Sequence, residues 1–156
     1  MSIIGTFSLC PREGYEVLVR QVSEGRTEEA RETVLRLREA LTPAPEGETC
    51  SGVVFTALFT YFQTVLDTNL WGDAQEGGLG ALWRETAGVF VMTAFLWPDR
   101  ERLLALAESI PEEALTAFVN DFFQDNMGPS GRIALETLCR GLRALTPETV
   151  LIFQAF

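Results

Sequence analysis

Asp121 and Asp125 stand four residues apart in the stretch Asn120-Asp121-Phe122-Phe123-Gln124-Asp125-Asn126, so on a helix their carboxylates share a face. Two acids on one face could hold a cation, act as a paired acid and base, or receive a cationic partner. They fall near the C-terminal end of the helix that the surrounding pattern predicts. There the helix dipole and their mutual repulsion each disfavour them by roughly a few tenths of a kcal/mol. A cationic partner or a cation would offset that cost; a solvated face is the simpler reading.

A second stretch, Asp67-Thr68-Asn69-Leu70-Trp71-Gly72-Asp73, echoes a calcium loop, with an acid first, asparagine third and glycine sixth. Trp71 stands where the fifth-position oxygen ligand belongs, and Gly78 where the bidentate glutamate belongs. A polar helix end running into a glycine-rich loop explains these residues better, so no metal site is predicted. Trp71, beside acids in a loop, is a candidate surface anchor, because tryptophan joins a large apolar face to one donor. Thr56, Thr60, Thr64 and Thr68 recur every four residues and form a ridge that bonds to preceding carbonyls or lets another helix approach.

The residues that are absent exclude more than the residues present propose. All 12 basic residues are arginine, and the chain has no lysine and no histidine. Without histidine there is no Ser-His or Cys-His nucleophile pair and no imidazole base. Without lysine there is no Schiff base, no Ser-Lys dyad and no P-loop lysine. No closely spaced thiolates suggest structural zinc, and no GxGxxG follows a predicted strand, so no cofactor is predicted. Carboxylates, arginines, tyrosines and thiols remain. They permit a carboxylate-based, metal-dependent hydrolase or a small-ligand-binding protein.

The 22 acids outnumber the bases to a net charge of −10, which disfavours contact with nucleic-acid phosphates. The excess is local: residues 39–131 hold 14 acids and three arginines, whereas residues 1–38 are balanced with six of each. Gathered on one surface, those acids would attract a basic protein; spread out, they would serve solubility. Cys10, Cys50 and Cys139 are odd in number and lie far apart, which points to reduced thiols in a cytoplasmic setting. Cys10 and Cys50 fall in exposed-looking segments, which leaves a redox sensor as a third reading. The start of the chain lacks the charged region and long apolar run of a signal peptide. The apolar stretches 52–66 and 87–97 are shorter than the roughly 18–20 residues that span a bilayer, so both read as buried core helices.

The periodicity predicts a single domain over residues 1–156, of α+β class and predominantly helical. Six to seven helices should pack around a small pairing of N-terminal and C-terminal strands. Residues 2–9 read as a strand, followed by a helix that Gly25 stops and a second from Thr27 to about Thr42. The third helix should start at Ser51 and reach about Leu70; the fourth should cover 81–97 and stop at Pro98. A fifth spans about 99–108. In the sixth, which starts at Pro111, Leu115, Phe118, Val119 and Phe122 take the spacing of a core face, with Phe123 beside them. A seventh covers 132–145, with Ile133, Leu135, Leu138, Leu142 and Leu145 inward. Val150-Leu151-Ile152-Phe153 closes the chain as a buried strand, with a short helix as the competing reading.

With both ends read, the opening Met1-Ser2-Ile3-Ile4-Gly5, with Phe7 after one intervening residue, resembles the start of the YfbM-like family, small bacterial proteins of unknown function. The run from Leu104 through Ile110-Pro111-Glu112-Glu113-Ala114-Leu115, then helix, proline break, helix and apolar strand, is similar in rhythm. The resemblance implies an α+β fold with helices around a small strand pairing. The family's middle carries a histidine-containing stretch, for which this chain has residues 52–66 without histidine. The resemblance transfers no catalytic residue, because none is assigned in the family.

These readings lead to a non-enzymatic, acidic interaction or accessory protein of immunity type, neutralising a cationic toxin or another basic protein. Asp67, Trp71, Asp73, Glu76, Asp121 and Asp125 are the candidate partner-binding residues.

Overall fold

The computed structural model describes residues 3–45, 51–71 and 78–156. Its frame is a four-stranded antiparallel sheet: β1 (Gly5–Pro11), β2 (Thr42–Pro43), β3 (Val91–Phe95) and β4 (Thr149–Ala155), in the order β2-β1-β4-β3. β1 and β4 pair along their whole length, from Gly5 opposite Ala155 to Pro11 opposite Thr149. β3 lies on the other side of β4, with Val91 opposite Ala155 and Phe95 opposite Leu151. Seven α-helices surround this sheet among the described residues: α1 (Arg12–Ser23), α2 (Thr27–Ala40), α3 (Gly52–Thr64), α4 (Gly78–Ala87), α5 (Arg100–Glu108), α6 (Glu112–Phe123) and α7 (Gly128–Ala144). The fold is α+β and predominantly helical, with the N-terminal and C-terminal strands paired at its centre.

Period-2 alternation along β4 divides the interior into two layers. Leu151, Phe153 and Ala155 pack with α3, α5, α6 and α7, whereas Val150 and Ile152 pack with α1, α2 and α4. An antiparallel strand usually keeps one face wet, and its residues alternate in polarity; β4 is covered on both faces and so reads as an unbroken apolar run. The first layer is aromatic. Phe153 lies 4.8 Å from Phe55, 5.0 Å from Phe7 and 5.3 Å from Phe59, measured between ring centroids. In the second layer the buried Trp83 indole N–H donates to Gln154 Oε1 at 2.7 Å, which satisfies the one polar side chain that β4 sends inward.

α6 and α7 approach closely because two glycines lie where they meet. A Cβ on Gly128 would stand 2.4 Å from Thr116 Cγ2, and one on Gly131 would stand 2.6 Å from Val119 Cγ2. Asn120, near the end of α6, accepts the Gly128 N–H at 2.6 Å and so caps the first turn of α7. At the far end of α7, Arg100 donates to the Leu142 and Arg143 carbonyls at 2.9 and 3.3 Å. Its guanidinium lies over the Trp97 ring, 5.4 Å from the centroid.

Four elements differ from the sequence reading. The expected fourth helix over 81–97 is instead α4, a turn at Gly88 and strand β3. Gly88 takes a φ of 70°, and the β-branched and aromatic residues after it pair with β4, so sheet pairing prevails over apolar length. α3 ends at Thr64 rather than near Leu70, and the chain turns through Asp67 at a φ of 49°. Thr42-Pro43, read as a helix stop, adds the short strand β2 beside Ser8 and Leu9. α7 starts at Gly128, with Pro129 in its first turn, and its Ile133 and Leu135 are half-buried.

Candidate functional site

The C-terminal end of α6 holds two of the acids that the sequence singled out, but not on one helical face as expected: α6 stops at Phe123, so Asp121 stands in its last turn and Asp125 beyond it. Asp121 and Asp125 are both exposed, and neither pairs with an arginine among the described residues. Gln124 takes the left-handed conformation, φ 53°, that ends the helix. Its side-chain amide donates to the Asp121 carbonyl at 2.7 Å and to Asp121 Oδ1 at 3.3 Å. Asp125 Oδ1 accepts the Asn126 N–H at 2.7 Å, which fixes the turn but leaves its second oxygen free of any described partner. Asn120, Asp121, Gln124, Asp125 and Asn126 line a shallow hollow of about 430 Å³ that contains no cationic side chain.

The same stretch of α6 carries an aromatic step. Phe122, expected on the core face, is 41% exposed. Only Leu115 and Val119 of α6 are fully buried, so the apolar stripe is narrower than its spacing implied. The Phe122 ring stacks on Phe118 at 6.3 Å with an interplanar angle of 24°, and meets Phe123 edge-on at 5.0 Å. Phe118 in turn meets the buried Tyr61 of α3 edge-on at 5.2 Å.

The other candidates lie apart from it. Asp67 is exposed at the turn after α3. Trp71 is buried at 8% exposure and packs edge-on against Phe59 at 4.8 Å, so its ring belongs to the aromatic core and does not serve as a surface anchor. Asp73 and Glu76 lie outside the described residues, as does Cys50. Thr60 and Thr64 donate to the carbonyls one turn back, at 2.7 and 2.8 Å, which accounts for two of the four threonines of the ridge.

A second depression, of about 490 Å³, lies between α5, α6 and α7, with Ile110, Leu115 and Cys139 among its apolar residues. Its glutamates are engaged: Glu108 pairs with Arg143 at 3.1 Å, Glu112 with Arg132 at 2.9 Å, and Glu136 with Arg132 at 3.6 Å. These pairs tie α7 to its two neighbours and leave no carboxylate of the rim without a cation. Among the described residues, no three histidine, cysteine, aspartate or glutamate side chains gather as a metal-ligand set.

The thiols are quiet. Cys10 is fully buried on β1, and burial pushes its pKa up to about 11. Burial also raises Cys139, with Arg143 opposing and Glu108 and Glu136 reinforcing the shift. A redox sensor needs an accessible thiolate, so Cys10 does not serve as one. No described helix is long and apolar enough to cross a membrane. Comparison with protein families, curated proteins and solved structures returns no match to this chain.

Proposed function

We propose that this chain is a non-enzymatic accessory protein that binds a basic partner protein through its acidic residues. Its role on this reading is of immunity type, neutralising a cationic toxin or a comparable protein in the cytoplasm. The observation that carries the reading is the end of α6. Two exposed carboxylates without arginine partners sit there beside an exposed phenylalanine, at a helix terminus whose dipole disfavours negative charge. Residues kept against a local stability cost are the ones to assign to binding first.

The net charge of −10 supports the same reading, since it accelerates encounter with a basic protein and repels nucleic-acid phosphates. The thiols of Cys10 and Cys139 are free, in keeping with a reducing compartment. Kinship with the YfbM-like family is part of the proposal and rests on the Ile3–Phe7 opening and the Ile110–Leu115 restart.

The test is capture from host extract on immobilised protein, at low and at moderate salt. A basic protein held in stoichiometric amount and released as salt rises supports the reading. Recovery of the bait alone under both conditions refutes it.

A further inference from the structure

We draw no further inference here: the strongest candidate, the depression between α5, α6 and α7, has its glutamates paired with Arg132 and Arg143 and its floor residues Ala107, Leu115 and Cys139 buried, and nothing in the structure shows what covers it.

Discussion

Neutralising Asp121 and Asp125 should make this protein more stable, the reverse of what most substitutions do. Both carboxylates lie in or just beyond the last turn of α6, exposed and without an arginine partner among the described residues. A negative charge there opposes the helix dipole by about 0.3–1 kcal/mol, reduced by solvent screening at exposed positions. Asparagine keeps the Oδ1 that accepts from Gln124 at Asp121 and from Asn126 at Asp125, so the local hydrogen bonds survive. The double variant D121N/D125N should therefore gain about 0.3–1 kcal/mol, which is a rise of roughly 1–4 °C in Tm for a domain of this size. The assay is thermal and urea denaturation at low salt, repeated at about 0.5 M salt, where the gain should shrink. A loss of stability, or a gain indifferent to salt, would refute the reasoning and return the two aspartates to a structural role.

Other expectations follow from contacts elsewhere in the fold. Gly128→Ala should cost about 1–3 kcal/mol in urea unfolding, because the new Cβ meets Thr116 Cγ2 at 2.4 Å and must drive α7 from α6. Gln154→Leu should cost about 1–3 kcal/mol by stranding the buried Trp83 N–H, with a shift in tryptophan fluorescence that reports the lost bond. Arg100→Lys should cost about 1 kcal/mol, since an ammonium cannot both stack on Trp97 and cap two carbonyls of α7; equal stability in denaturant would show that the cap is idle. Cys10 has a folded pKa of about 11 against a reference of 9.0, so the unfolded chain releases its proton first. Stability should therefore fall as pH rises from about 9 to 11, and Cys10→Ala should fall less over that window in urea titrations.

The fold was legible wherever hydrophobic pattern and capping chemistry agreed. Thr27 and Pro111 marked the starts of their helices, and Val150–Phe153 announced a buried strand, whereas the glycines near 128, read as a break, lie in the first turn of α7. The chain became ambiguous at residues 87–97, where an apolar run suits a buried helix or a central strand equally well, and pairing with β4 decides between them. Asp67 gave no local warning of its left-handed turn. At the site, the acids near the end of α6 could be picked out from the sequence, although α6 stops at Phe123 and Gln124 turns left-handed, so Asp125 lies beyond the helix and not on one helical face with Asp121. Two things could not: that α6 buries only Leu115 and Val119, leaving Phe122 outside, and that Trp71 turns inward onto Phe59. Both are tertiary outcomes that residue type does not encode.

The central claim is that this acidic chain works by binding a basic protein at the end of α6. The most direct measurement is parallel capture from host extract on wild-type protein and on D121N/D125N, quantified by mass spectrometry at two salt concentrations. A basic partner in stoichiometric amount on the wild type, depleted on the variant and released by salt, is the predicted result. Equal recovery on both baits, or no basic partner on either, would contradict it.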